Sequence, residues 1–132
     1  MARFHYQQAV ELAPNDPHFP KLLIEFYIRY NIDLRETAIP LAREMIVNYP
    51  NNASALDVMG QVLFRLGDVL TAERYYLRAL EKSPGSASAH LHLGILYKFQ
   101  GADDLAVSHL NQAILLAPNS VISNHAQRVR DE

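Results

Sequence analysis

Cysteine is absent from the 132 residues of the chain, which excludes disulfides, thiol catalysis and thiolate metal ligands. Neither sign of charge dominates, because 12 basic residues stand against 14 acidic ones, so a nucleic-acid partner is not expected. No run approaches the roughly 18 apolar residues that cross a bilayer, and the first residues lack the apolar core of a signal peptide. We therefore predict a cytoplasmic protein with no membrane partner.

Prolines recur along the chain at a nearly constant interval. Pro14, Pro50, Pro84 and Pro118 are separated by 36, 34 and 34 residues, and each is followed by Asn or Gly. A fixed period of this length is typical of repeat proteins. Between the prolines the apolar residues are spaced by three or four, which indicates helices with one buried face. The sequence thus predicts an all-α protein built from helix pairs.

Small residues mark the turns and the contacts within each predicted pair. Gly67 and Gly101 stand between two apolar stripes, where glycine supplies the left-handed residue that ends a helix. Asp68 is placed to cap the next helix, and serines or nearby asparagines after each proline are placed to cap the following unit. Gly60 and Gly94 lie inside helices, where glycine costs about 1 kcal/mol relative to alanine. We explain that cost by close approach of the facing helix.

This pattern resembles the tetratricopeptide repeat (TPR), whose signature is W-x2-L-G-x2-Y, then A-x3-F-x2-A, then P. One unit of the sequence matches at Leu56, Met59, Gly60, Leu63, Ala72, Tyr76, Ala79 and Pro84. The next matches at His90, Leu93, Gly94, Tyr97, Ala106, Leu110, Ala113 and Pro118. The resemblance implies an α-α superhelix of about eight helices, forming one domain.

The resemblance also divides the chain into units. Residues 1–14 correspond to the second helix of a partial repeat, 17–50 to a divergent repeat, 51–84 and 85–118 to full repeats, and 119–132 to a terminal capping helix. Because the chain begins in mid-unit, we expect it to be part of a longer array. In the divergent unit Ile24 replaces the glycine and Pro40 falls near the start of the second helix. That position predicts either a late helix start capped by Thr37 or a kink.

No arrangement of side chains in the sequence points to catalysis. His90 and His92 are two residues apart, so on a helix they point to nearly opposite faces and cannot share a metal ion. Asp103 and Asp104 fall at a predicted helix start, where negative charge favours the helix dipole. No glycine-rich phosphate loop or nucleophile elbow is present. We predict a protein that is not an enzyme and that holds no cofactor or metal.

The resemblance implies that the first helix of each unit lines a concave groove. The positions that it assigns to this groove are Lys21, Glu25, Arg29, Asp57, Gln61, Phe64, Arg65, Leu91, Ile95, Lys98 and Phe99. Apolar residues flanked by Arg and Lys favour a peptide that carries apolar and acidic residues. The carboxylate clamp known in some TPR domains is not predicted, because Glu25 would repel a carboxylate.

The leading prediction is therefore a protein–protein interaction scaffold that binds a peptide of its partner. Two alternatives remain open at this stage. One is a structural module that self-assembles through its terminal helices, with Phe4, Val121 and Ile122 at the two ends. The other is a regulatory array attached to a catalytic domain outside this chain.

Overall fold

The computed structural model describes residues 17–132, and it is helical throughout. The helices are α1 (His18–Tyr30), α2 (Ile39–Asn48), α3 (Ala53–Arg65), α4 (Val69–Lys82), α5 (Ala87–Phe99), α6 (Asp103–Leu116) and α7 (Val121–Asp131), with a π-helical turn at Leu34–Ala38. The all-α prediction is confirmed, and these seven α-helices are close to the predicted eight. The helix predicted over residues 1–14 lies outside the described residues.

The turns inside the two regular units form where the small residues predict them. Gly67 and Gly101 have φ angles of +89° and +77°, which are readily accessible only to glycine. The predicted caps also form: Asp68 and Ser86 accept hydrogen bonds from the backbone N–H three residues later. Before α3 the cap is Asn52, whose Oδ1 accepts from the N–H of Ser54 at 2.8 Å.

The helix-interior glycines lie where large side chains of the partner helix press against the backbone. A Cβ atom built on Gly60 would lie 2.5 Å from Cε1 of Tyr76, and one built on Gly94 would lie 2.5 Å from Cγ of Leu110. Tyr76 and Leu110 are almost fully buried. The predicted close approach is confirmed, and in both units a bulky residue of the second helix occupies the space that the glycine leaves.

The second helix of the divergent unit starts late, at Ile39 with Pro40 in its first turn, as one of the two alternatives predicted, but without the predicted cap. Asn31 and Asp33 adopt left-handed backbone conformations, and Asp33 is followed by a π-helical turn in which the N–H of Ala38 donates to its carbonyl at 3.0 Å. Thr37 does not cap α2, because it lies inside this turn. Pro40 has no N–H and would clash with the carbonyl four residues earlier in a regular helix. The π-helical turn ends at Ala38, so Pro40 lies in the first turn of α2. A proline is tolerated there, because the first N–H groups of a helix have no partner within it.

The helices stack so that neighbours in sequence are neighbours in space. Each helix packs on the next, and α1, α3, α5 and α7 also pack on one another in order. The buried core is correspondingly a chain of clusters between successive pairs rather than one central mass. Within residues 17–132 no helix has the length and apolarity that crossing a bilayer requires. This stacking brings one face of α1, α3, α5 and α7 onto a common surface.

Candidate functional site

A groove of about 680 Å³ runs across the surface that the odd-numbered helices share. Its lining comprises Leu22, Glu25, Phe26, Ile28, Arg29 and Tyr30 from α1, Gln61 and Arg65 from α3, Ser88 and His92 from α5, and His125 from α7. Four helices from successive units therefore contribute to one cavity. A continuous surface of this kind suits a ligand that extends along the array.

The α1 side of the groove is largely apolar. Leu22, Phe26 and Tyr30 recur at every fourth residue, so they form one stripe along the helix. The rings of Phe26 and Tyr30 lie 4.9 Å apart between centroids, and Tyr30 is 59% exposed. The stripe beside it, which includes Leu23 and Tyr27, faces the core and holds the helix in this orientation. The exposed aromatic stripe can cover apolar side chains of a ligand.

Polar side chains from two units join beneath the middle of the groove. Asp57 on α3 is only 4% exposed, and its carboxylate accepts hydrogen bonds from Ser88 Oγ at 2.6 Å and from His92 Nδ1 at 2.7 Å. The His92 ring also stacks on Tyr76, with centroids 5.6 Å apart. A buried carboxylate needs such partners because desolvation without them is costly. This network fixes the His92 ring at the groove surface and joins α3 to α5.

The same network affects Tyr76. Burial raises the pKa of the Tyr76 hydroxyl, and the negative charge of Asp57 raises it further. The Tyr76 hydroxyl therefore stays neutral, which suits a ring buried against Gly60. Beneath the groove, the neutral Tyr76 ring and the buried Asp57 carboxylate thus hold the His92 imidazole, which lines the cavity.

The charges at the groove surface favour an anionic ligand. Arg29 and Arg65 come from successive units, and both side chains are exposed. Glu25 is the acidic residue in the lining, and it lies 3.8 Å from Lys21 on the same helix. Both members of that pair are about two-fifths exposed, so solvent weakens their interaction. Arginine guanidinium groups can hold carboxylates through two parallel hydrogen bonds.

His125 brings a titratable group from α7 to the other end of the lining. Burial lowers the pKa of His125, nearby Arg128 and His92 lower it further, and Glu132 opposes them. Its ring is therefore mostly neutral at neutral pH. It can donate or accept a hydrogen bond there without adding charge.

Comparison with known proteins identifies the repeat. Two tetratricopeptide repeat family models match the chain, one over residues 53–96 and one over residues 87–120. The chain belongs to the tetratricopeptide repeat family. The matched residues include α3 to α6, which contain the two regular units.

The curated relatives are much longer than this chain. Superkiller complex protein 3 of Mus musculus is 34% identical over 68 residues, which are 52% of this chain and 4% of that protein. Protein O-mannosyl-transferase TMTC3 of Homo sapiens is 28% identical over 135 residues, which cover 99% of this chain and 14% of that protein. The chain thus spans a small part of the length of both relatives.

Solved structures share the fold at low identity. TTC0263, a thermophilic TPR protein of Thermus thermophilus, superimposes with a TM-score of 0.84 at 19% identity, covering 97% of this chain and 71% of its own. YrrB, described as a TPR protein with an unusual peptide-binding site, gives a TM-score of 0.69 at 20% identity, covering 96% of this chain and 64% of its own. At these identities the similarity shows the TPR superhelix alone.

The TPR superhelix brings together four of the residues that the sequence assigned to the groove. Glu25, Arg29, Gln61 and Arg65 line it directly. Lys21 lies beside Glu25 at the margin, and it is not part of the lining. All four residues come from α1 and α3.

The assigned residues of α5 lie elsewhere. Leu91, expected to be exposed, is 4% exposed and packs with Ala126 of α7, and Ile95 packs against the same cluster. The physical reason is that α7 stacks on α5 and covers this side of it. Lys98 is turned toward α7 as well, since its Nζ donates to the carbonyl of Val129 at 2.9 Å.

Phe64, Phe99 and Asp57 are also outside the open groove. The rings of Phe64 and Phe99 meet edge to face at 5.5 Å between centroids, but neither lines the cavity. Phe64 packs partly into the core, whereas Phe99 is 71% exposed. Asp57, expected to be exposed, is buried because Ser88 and His92 engage its carboxylate.

Sequence reasoning missed several lining residues, namely Leu22, Phe26, Tyr30, His92 and His125. The stripe on α1 was detectable from its spacing of four, next to the stripe that forms the core. The contact of Asp57 with His92 was not, because it joins residues 35 positions apart in different units. Predicting it requires the stacking of one repeat on the next.

Serine, histidine and aspartate meet in this network, but not in the arrangement of a hydrolase. In a catalytic triad the serine hydroxyl donates to a histidine nitrogen whose opposite nitrogen bonds the carboxylate. Here the Ser88 hydroxyl donates to Asp57 itself, and it lies 3.5 Å from the same Nδ1 of His92 that bonds Asp57. This geometry therefore lacks the histidine base that activates the serine of a triad.

Proposed function

We propose that this chain is a protein-interaction scaffold that binds a peptide segment of a partner in the groove between α1 and α7. The TPR family consists generally of non-catalytic scaffolds. The observation that carries the finer proposal is the cavity of about 680 Å³ formed by four helices of successive units. A cavity that extends over several units fits a chain segment laid along the array.

The lining suggests the chemistry of that segment. Phe26, Ile28 and Tyr30 supply an apolar wall, while Arg29 and Arg65 supply cations on neighbouring units. Aromatic and arginine side chains commonly contribute most of the binding energy at protein interfaces. We therefore propose a ligand that alternates apolar side chains with Asp or Glu, and we propose that the scaffold itself carries out no catalysis.

The test uses short peptides with fluorescein labels and fluorescence polarisation. A series that alternates Leu with Glu is compared with the same series containing Lys in place of Glu. We expect the acidic series to bind and the basic one not to bind. Replacing Arg65→Glu should weaken the acidic peptide at least about 10-fold, because it puts a repulsive charge where an attractive one stood.

Two control variants make the result specific to the groove. Arg43→Glu changes the same charge on an exposed residue of α2 and should leave affinity within about twofold. Phe99→Ala removes the most exposed aromatic ring outside the lining, among the described residues, and it should also have little effect. Equal losses from Arg43→Glu and Arg65→Glu would indicate non-specific charge attraction and contradict the proposal.

Self-assembly through the terminal helices is the competing proposal. In its favour, Val121 at the start of α7 is 83% exposed. Against it, Ile122 packs inward, and the outward residues Asn124, Gln127 and Arg128 are polar. Light scattering after gel filtration decides between them: a concentration-dependent dimer that Val121→Asp abolishes would favour assembly, and a monomer would favour the groove.

A further inference from the structure

A pair of histidines outside the groove joins the two helices of the last full repeat. His90 on α5 and His109 on α6 place their Nδ1 atoms 3.0 Å apart, with ring centroids separated by 5.2 Å. Both side chains are half-buried. The function proposed above makes no use of them.

The hydrogen bonds around the pair determine which nitrogens carry protons. The carbonyl of Pro84 can only accept, so Nε2 of His90, at 3.2 Å, must be the donor. Neutral His90 therefore has a bare lone pair on Nδ1, which accepts from Nδ1–H of His109. A carbonyl that holds the distal N–H of a histidine is the usual support of a metal-binding imidazole.

Both rings are held in place by further contacts. The Tyr97 ring packs on His109 with centroids 5.5 Å apart, and its hydroxyl donates to Glu73 at 2.6 Å. Burial and the neighbouring His90 lower the pKa of His109. Histidine binds metals through a ring nitrogen that carries no proton, and the contacts of these two rings keep their Nδ1 atoms side by side.

From this geometry we propose that His90 and His109 form a two-histidine site for a divalent transition metal. With metal–nitrogen bonds of about 2.0 Å, two imidazoles on a tetrahedral ion have nitrogens about 3.3 Å apart and ring centres about 5.2 Å apart. The observed centroid separation is 5.2 Å. Each ring would need to tilt by roughly 35° to turn its lone pair from its neighbour to the ion.

Metal binding at this site need not release a proton from the protein. The hydrogen on Nδ1 of His109 moves through solvent to Nε2 of the same ring, and the metal takes its place between the two Nδ1 atoms. Among residues 17–132 no group of three or more His, Cys, Asp or Glu residues could hold an ion. Water would therefore complete the coordination, and affinity should follow the general order in which Cu²⁺ exceeds Ni²⁺ and Zn²⁺.

The experiment is a calorimetric titration of tag-free protein with Zn²⁺, Ni²⁺, Cu²⁺ and Mg²⁺ at pH 7.5. We expect one site, with Cu²⁺ bound most tightly and Mg²⁺ not bound. His90→Ala and His109→Ala should each weaken that site at least about 10-fold. His18→Ala, which alters an exposed histidine of α1, should not change it.

A second measurement avoids the risk that either variant fails to fold. In wild-type protein, substoichiometric Cu²⁺ should broaden the ring resonances of His90 and His109 before those of the other histidines. Equal broadening at all histidines, or equal affinity in all variants, would overturn the proposal. So would a titration in which no metal binds.

Discussion

Replacement of Gly60 by alanine tests the packing argument most directly. The new Cβ would lie 2.5 Å and 2.6 Å from two carbons of the Tyr76 ring, at least about 1 Å inside normal contact distance. The ring cannot easily retreat, because it is buried and its other contacts include the stacked His92. Overpacking of this kind costs typically up to about 3 kcal/mol, while alanine in a helix recovers about 1 kcal/mol. We expect a net loss of about 2 kcal/mol in the free energy of unfolding.

Urea denaturation followed by circular dichroism measures this value, and a double-mutant cycle assigns its cause. In a Tyr76→Ala background the side chain that causes the clash is absent, so the same Gly60→Ala change should stabilise by about 1 kcal/mol. Gly85→Ala is the matched control, since its Cβ would meet nothing within 4 Å. A loss that is equal in both backgrounds, or no loss at all, would refute the reasoning.

Three further predictions concern capping, burial and titration. Ala102 occupies the N-cap position of α6 with nearly the same backbone angles as Asp68 before α4, but it makes no side-chain bond, so Ala102→Ser should stabilise by about 0.5–1 kcal/mol in urea denaturation. Asp57→Ala removes two hydrogen bonds to a buried carboxylate and should cost about 2–3 kcal/mol in the same assay; a change within about 0.5 kcal/mol would contradict the assigned network. Because the folded-state pKa of His125 is lowered from 6.5, the folded protein binds fewer protons than the unfolded chain as pH falls below about 6.5. The contribution of neutral His125 to stability is therefore present above pH 6.5 and is lost as pH falls below it. The melting temperature of His125→Gln should therefore fall less between pH 7.5 and pH 5.5 than that of the wild type, and parallel curves would exclude this role.

Much of the fold follows from local signals in the sequence. Gly67, Asp68 and Gly101 each act through their own backbone or the next turn, so their roles can be inferred without knowing the partner helix. The role of Gly60 had to be inferred indirectly. Glycine destabilises a helix relative to alanine, so its presence there implies that a neighbouring helix approaches closely. The structure confirms the helix pairs and the internal turns that these residues predicted.

The remaining features depend on contacts between units or on competition between local rules. Leu91 is buried because α7 stacks over α5, a relation that the pattern of a single repeat does not contain. The π-helical turn before Pro40 arises from a proline and two left-handed residues acting together. His90 and His109 meet across a helix pair, and their pairing depends on the rotation of each helix about its axis. Spacing along one chain segment does not determine that rotation.

The short sequence range of these contacts has a consequence for how the protein is made. Within residues 17–132, the side-chain hydrogen bonds from Asp57 to Ser88 and to His92 span 31 and 35 residues, about one repeat. Each helix packs on its nearest neighbours in the array. None of these contacts joins residues at opposite ends of the described chain. A protein whose contacts are local in sequence folds quickly. During synthesis each completed repeat can consolidate on the one already released from the ribosome, and the nascent chain need not hold exposed apolar surface for the length of the whole array.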